Sequence, residues 1–257
     1  MSKLVLITGS AKRIGSEIAR YFADRQWRVC IHANQNEAAA RALLATLPAP
    51  ADGCHGIVLG DLAAEGGPER LMRTVFAQCG PLDCLVNNAS LFSEGSIETC
   101  SERDLLRNAQ VNFLAPVLLI QSLYNSLPAS ARASVINITD QKVVNLNNDC
   151  WAYTFSKISL HASLLFLAQS TAAKLRINEV APGLTLPSAE QTPEQFAQIH
   201  QRTPTQRGST PLDIARAVFY FAENELLTGQ SLVVDGGQHL VPSLRDVMYL
   251  TGGKYAV

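Results

Sequence analysis

A phenol and an ammonium four residues apart, Tyr153 and Lys157, fall on one face of a helix. A neighbouring cation favours phenolate. The lysine, together with a cationic ring bound beside it, is expected to draw the tyrosine below its ordinary value of roughly 10, into the range where it exchanges protons. On spacing alone a surface pair reads the same way. The context separates the two: the helix follows an apolar strand ending in Thr139-Asp140, thirteen residues before Tyr153. Asn112 lies in the apolar run Val111-Asn112-Phe113-Leu114-Ala115-Pro116. Proline lacks an N–H and clashes with the carbonyl four residues back, here that of Asn112. A freed main-chain acceptor able to hold a water is expected there, beside the plainer reading of an amide satisfied inside the core.

A second constellation suits an anion. The strand Leu4 to Ile7 runs into Thr8-Gly9, and a helix begins near Arg13. Helix N-termini present unpaired N–H groups and the positive end of the macrodipole. Gly9 and Gly15 let backbone approach a phosphate and the sheet. Lys12 and Arg13 oppose the dipole, an arrangement that makes sense when a large anion lies across them. Solvated cations on an ordinary strand-turn-helix are the alternative. An acid at the end of the second strand would hold a ribose 2′-hydroxyl, but the segment His32-Ala33-Asn34-Gln35-Asn36 has none. Glu37 falls in the first turn of the next helix. Polar amides plus Arg13 suit a 2′-phosphate, so NADP(H) is expected over NAD(H).

These groups need elements to hold them. Apolar strand candidates are 4–7, 28–32, 56–59, 83–87, 134–138, 176–180 and 231–235. Helical patterns cover about 36–47, 68–78, 102–126, 152–170 and 211–223. The strands are apolar on both faces, as in a parallel sheet covered on both sides. The alternation predicts one α/β domain over residues 1–257, a doubly wound Rossmann-like fold with a seven-stranded parallel sheet. The stretch 183–210 breaks the rhythm, with a short helical piece near 193–201, and reads as a substrate loop. The tail 238–257 carries Val241, Leu244, Val247, Met248, Tyr249 and Leu250 and is expected to pack on a neighbour and complete a pocket. With 47% apolar and 17% charged residues and a net charge of −1, the chain has no general attraction for nucleic acid or anionic membrane. Phe113 to Ile120 is too short to span a bilayer. No leader precedes the first strand, so a cytoplasmic protein is expected. The six cysteines form no C-x-x-C pair and have no histidines at metal spacing; they read as reduced core thiols, with no metal.

Taken together, Thr8-Gly9…Gly15, Asp61, Asn87-Asn88-Ala89, Asn112, Tyr153…Lys157, Pro182-Gly183 and Val234-Asp235-Gly236-Gly237 resemble the short-chain dehydrogenase/reductase family over nearly the whole chain. That resemblance implies hydride transfer to or from a nicotinamide. It implies Tyr153 as acid/base, Lys157 holding the ribose and tuning the tyrosine, and the Asn112 carbonyl anchoring a water in a proton relay. The cofactor set would comprise Gly9, Lys12, Arg13, Ile14, Gly15, His32, Asn34, Gln35, Asn36, Asp61 (on the adenine), Leu62, Asn88, Ala89, Ser90, Tyr153, Lys157, Pro182, Gly183 and Leu184. It also implies a homo-oligomer, a dimer or tetramer built on the 152–170 helix, whose Leu160, Leu164, Leu165 and Leu167 exceed what one sheet face needs.

Three departures narrow the match. The family's middle glycine of the first turn is Arg13, its serine before the tyrosine is Asp140, and its glycine after Asn-Asn-Ala is Ser90, with Phe92 two residues on. All three are similar to the pteridine reductases and dihydromonapterin reductases. The substrate set implied is Arg13, Ser90, Phe92, Asp140, Tyr153 and Thr185, around a pterin or dihydropterin stacked between nicotinamide and Phe92. Reducing a ring C=N bond needs a proton on nitrogen, which a carboxyl of raised pKa supplies. Phe92 as a core residue over the fourth strand is the plainer reading. A carbonyl reductase of a small ketone or 3-oxoacyl substrate is the alternative function, and a non-catalytic NADP-binding redox sensor is another of a different class.

Overall fold

Side chains alternate across each strand, so a strand apolar at every position must be covered on both faces. In β1 (Leu4–Ile7) all four residues are buried: Leu4 and Leu6 join one apolar cluster, Val5 and Ile7 the other. The structure, a computed structural model, describes residues 2–187 and 191–250. Among these, β2 (Arg28–Ala33), β3 (Gly56–Leu59), β4 (Cys84–Asn87), β5 (Ala133–Ile138), β6 (Leu175–Pro182) and β7 (Ser231–Val234) complete a seven-stranded sheet, parallel at every pairing. Its order is β3-β2-β1-β4-β5-β6-β7, so the winding reverses between β1 and β4, where such sheets open a crevice at the strand C-termini. Ile7 sits opposite Ile31 on one side and Val86 on the other.

One face packs against α3 (Gly67–Cys79), α5 (Ala115–Ser126) and α7 (Leu164–Thr171) through Leu71, Val75, Leu119, Leu123 and Leu164. The other packs against α1 (Arg13–Ala23), α2 (Glu37–Leu44) and α9 (Pro211–Glu223) through Ile18, Phe22, Leu43, Ile214, Val218 and Phe221. Phe22 meets Trp27 and Phe219 edge-on, each with ring centroids 5.1 Å apart, sealing the α1–α9 seam. No described helix is long and apolar enough to cross a membrane.

Two predicted helices are divided. The span 102–126 is α4 (Glu102–Ala109), a π-helical turn over Gln110–Leu114, and then α5. The Ala115 N–H reaches back five residues to the Gln110 carbonyl, just before Pro116, where the ladder loses a donor. The span 152–170 is α6 (Trp151–Ala162) and α7, interrupted at Ser163, whose hydroxyl donates to the Leu160 carbonyl. The loop after β6 carries α8 (Pro193–His200), begun by a Thr192–Gln195 capping box.

Candidate active site

The end of β5 and the first turns of α6 set the central groups. Asp140, two residues past β5, begins a 3₁₀ turn over Gln141–Val143, and its Oδ1 accepts the Lys142 N–H at 2.9 Å. That fixes the carboxyl and turns Oδ2 to the Tyr153 hydroxyl, which donates to it at 2.7 Å. One helical turn on, the buried Lys157 donates from Nζ to the Ile138 carbonyl at 2.8 Å. All three line a cavity of about 910 Å³ at the C-terminal ends of the strands, over the β1/β4 reversal.

The electrostatics correct one expectation. Tyr153 is not drawn down: withdrawal from water, then the adjoining Asp140 carboxylate, push its proton affinity well above the usual phenol range. Lys157 lies 5.7 Å from the tyrosine ring centroid and is lowered to about 8 by burial, which Asp140 and Glu179 oppose. Asp140 is raised, chiefly by desolvation; the Lys142 N–H, the Tyr153 hydroxyl and the Lys142 cation act against this, and Asp246 adds to it. The phenol is thus hydrogen-bonded to a carboxyl whose proton affinity burial raises.

Asn112 lies in the π-helical turn, fully buried and outside the cavity lining. Its carboxamide is satisfied inside the protein. Oδ1 accepts from the Leu91 N–H and the Ser90 hydroxyl, and Nδ2 donates to the Leu91 carbonyl and to Ser156 Oγ. Asn112 thus braces the loop after β4, which carries Ser90 and Phe92 into the cavity wall. Phe92 is about half exposed and meets the Tyr153 ring edge-on at 4.9 Å, so it faces the cavity instead of closing the core. The hydroxyl of Ser90 is engaged with Asn112, and that of Thr185 with the Gly183 carbonyl and Ser209 Oγ, although both residues line the cavity.

At the other end, Gly9, Lys12, Arg13, Ile14 and Gly15 line the cavity where α1 begins, with no acid in its first turn and no side-chain cap. Arg13 has φ +56°, a left-handed conformation suited to glycine, which orients its side chain to the Pro187 carbonyl at 3.2 Å. A Cβ at Gly15 would stand 2.6 Å from Asn88 Nδ2 and 2.8 Å from the Gly9 carbonyl, so this approach needs glycine. His32 is buried: Nδ1 accepts the Gly9 N–H at 3.0 Å and Nε2 donates to the Gly60 carbonyl at 3.0 Å, a tautomer inferred from these partners. It works as a brace between three strand ends, and burial lowers its pKa.

Asn34 reaches the cavity lining, whereas Gln35 and Asn36 do not. Asn36 instead caps α2, accepting the Ala39 N–H at 2.9 Å; the two positions were expected at the cofactor because they directly follow the strand, but the chain turns away into the helix. Asp61, Leu62, Asn88, Ala89, Pro182, Gly183 and Leu184 all line the cavity. Asp61 Oδ1 holds the Ala63 N–H, and Asn88 Nδ2 holds the Thr8 carbonyl at 2.8 Å.

Several lining residues were not singled out as site residues: Glu94, Arg107, Gln141, Lys142, Gln238 and, in the tail expected to complete a pocket, Asp246, Val247 and Met248. The last three show that the tail completes the cavity of its own chain. Its apolar and acidic letters gave no address, because the contact spans about a hundred residues: Lys142 Nζ meets Asp246 Oδ2 at 2.8 Å. Residues 188–190 of the expected substrate loop and 251–257 of the expected tail lie outside the described residues.

Residues 9–239 match the family model described as "Enoyl-(Acyl carrier protein) reductase". The structure of FolM alternative dihydrofolate reductase 1 from Brucella suis in complex with NADP superposes with a TM-score of 0.88 at 36% identity, covering 94% of this chain and 96% of that one. The Brucella canis counterpart, also complexed with NADP, gives 0.86 at 35% identity over 93% and 95% of the two chains. A bovine 3-oxoacyl-[acyl-carrier-protein] reductase is 28% identical across 93% of this chain and 99% of its own length. With a parallel sheet reversing at β1/β4, a cavity at that reversal and a matching model over most of its length, the chain belongs to the short-chain dehydrogenase/reductase family.

Proposed function

We propose that this protein is an NADPH-dependent reductase of pterin or dihydropterin rings, with Asp140 as the source of the proton. The observation that carries the reading is the 2.7 Å bond from Tyr153 to a carboxyl whose pKa is raised, where a ketone reductase of this family has a serine. The likeness to the two NADP complexes of FolM alternative dihydrofolate reductase supports it.

The residues present fit a phosphorylated dinucleotide. The backbone at Gly15 leaves no room for a Cβ, Lys12 and Arg13 sit at the head of α1, and no acid stands at Asn34 to oppose a 2′-phosphate. The Gly9 amide is committed to His32, so the α1 amides and these cations are left for phosphate, with Asp61 and Leu62 toward the adenine. When bound, the reduced nicotinamide supplies the hydride.

Asp140 in its acid form gives the balancing proton to the ring nitrogen, directly or across the Tyr153 hydroxyl, and is left as carboxylate. Desolvation favours the acid form beforehand, and the Lys142 and Lys157 cations favour the charge afterwards. Phe92 offers a flat face opposite the nicotinamide, and Ser90, Arg13 and Thr185 border the ring's polar edge. Asn112 positions the loop after β4, and its carbonyl is assigned the anchoring of a water that returns protons to Lys157. We further assign a homo-oligomer, dimer or tetramer, acting in the cytoplasm.

NADPH oxidation followed across dihydropterins, folates and small ketones tests the reading: turnover of dihydropterins supports it, and turnover of ketones alone removes it. The bovine 3-oxoacyl relative keeps a carbonyl reductase as the second reading. A redox sensor without catalysis is disfavoured by the assembled carboxyl, phenol and ammonium.

A further inference from the structure

Lys142 is buried, yet its ammonium does not reach solvent or the sheet. Nζ donates to Asp246 Oδ2 at 2.8 Å and to Asn147 Oδ1 at 2.5 Å. Its backbone N–H is the one that fixes Asp140 Oδ1. The residue that orients the proposed proton source therefore also ties down the C-terminal segment. Asp246 Oδ1 accepts the Met248 N–H at 3.1 Å, closing the turn Val247–Tyr249. The Asp246 N–H donates to Asp149 Oδ2 at 2.7 Å, Arg245 Nε donates to the same carboxylate at 2.9 Å, and the Asn148 N–H donates to the Leu244 carbonyl. Asp246, Val247 and Met248 then form cavity wall shared with Asp140, Lys142 and Tyr153.

A buried ion pair is a poor way to close a wall. Apolar residues of similar volume do it as well or better, because two charges must leave water. Here the pair stands beside a group whose protonation state decides the chemistry.

We propose that Lys142 and Asp246 are positioning residues of the reaction, a charge pair that holds Asp246–Met248 as the substrate wall of the cavity and sets one cation and one anion beside the Asp140 carboxyl. The inference rests on Asp140 as proton source. The charged and titratable groups around Asp140 are Tyr153 and Lys157 from α6, Lys142 from the turn after β5, and Asp246 from the C-terminal segment. Glu179 acts on Lys157, and Cys150 acts on Tyr153. The two halves of the pair act oppositely on Asp140: the ammonium favours its carboxylate, the Asp246 carboxylate its acid form.

The test is the pH profile of kcat/KM for NADPH-dependent dihydropterin reduction in Lys142→Gln, Asp246→Asn, Lys142→Arg and the double variant Lys142→Gln/Asp246→Asn, with Asp140→Asn as control. Loss of the cation moves the basic limb up by roughly a pH unit, and loss of the anion moves it down by about as much. KM for the pterin rises several-fold in both, and the Kd for NADPH is unchanged. Lys142→Arg keeps the limb in place. The double variant leaves no unpaired buried charge, so it folds where a single does not. It shows the raised KM with the limb back near its original pH. Limbs that coincide with the parent or move in the same direction, or an unchanged KM in the double variant, overturn the proposal. A limb that persists in Asp140→Asn overturns instead the assignment of Asp140 as proton source.

Discussion

The two oxygens of Asp140 are engaged separately, Oδ1 by the Lys142 N–H and Oδ2 by the Tyr153 hydroxyl. Because its folded pKa is raised, the native state binds more protons than the unfolded chain between the ordinary carboxyl value and the raised one. Its contribution to stability is therefore lost as pH rises through that window. Asp140→Asn keeps an oxygen acceptor for Lys142 and removes that loss. Thermal unfolding at neutral pH should show a higher midpoint than the parent, while dihydropterin reduction collapses and loses its basic limb. A lower midpoint, or a limb that stays, contradicts the assignment. The limb belongs to the coupled Asp140–Tyr153 pair, so it is read as one macroscopic value. Tyr153→Phe should lower kcat about 10²- to 10⁴-fold, the usual worth of a proton-transfer group, with little change in KM; a kcat within a few-fold of the parent would show the carboxyl acting alone. The sequence showed these letters and their spacing. It did not show that the tyrosine is raised instead of lowered, since that depends first on its withdrawal from water and then on the Asp140 carboxyl hydrogen-bonded to it, with Lys157 held off on the Ile138 carbonyl.

At the scale of elements, three strand ends meet on one imidazole. His32, in β2, takes the Gly9 N–H after β1 and gives its own to the Gly60 carbonyl after β3. His32→Leu leaves both partners, half-buried at the cavity wall, without that bond, which should reduce stability by about 1–3 kcal/mol in urea unfolding and weaken NADPH binding in a fluorescence titration. Unchanged values for both would show the brace to be incidental. The sign with pH follows from its lowered pKa. The unfolded chain takes up the proton first, so stability declines as pH falls below the ordinary imidazole value of about 6.5, and His32→Leu should flatten that decline. Strand periodicity located β2, and no periodicity announces what a buried histidine ties together. The helix divisions were similarly hidden. Pro116 signalled a disturbance at Asn112, but widening of the turn over Gln110–Leu114, which buries the carboxamide against Leu91 and Ser156, depends on tertiary contacts.

The whole molecule follows from local rules carried consistently along the chain. Strands apolar on both faces and helices between them dictate a covered parallel sheet, and the β1/β4 reversal dictates where the cavity opens. The covered parallel sheet was legible in composition and alternation; the strand order that places the reversal was not. The tail was legible as a segment that completes a pocket, but its Lys142–Asp246 tie across the chain was not, and of the residues that follow β2 Asn34 reaches the cavity lining whereas Gln35 and Asn36 do not. Asn34→Asp, placing an anion at the end of β2, should weaken NADPH binding at least tenfold and leave NADH within a few-fold in parallel titrations. Equal losses for both would place the discriminating contact elsewhere.

The central claim, that a protonated carboxyl at position 140 directs this family's machinery to a ring nitrogen, is tested most directly by one comparison: NADPH oxidation by the parent and by Asp140→Ser, each against the same dihydropterins and small ketones. The account predicts that the parent reduces dihydropterins and that the serine variant loses this activity by orders of magnitude while any ketone activity is retained. Dihydropterin turnover undiminished in Asp140→Ser would contradict it.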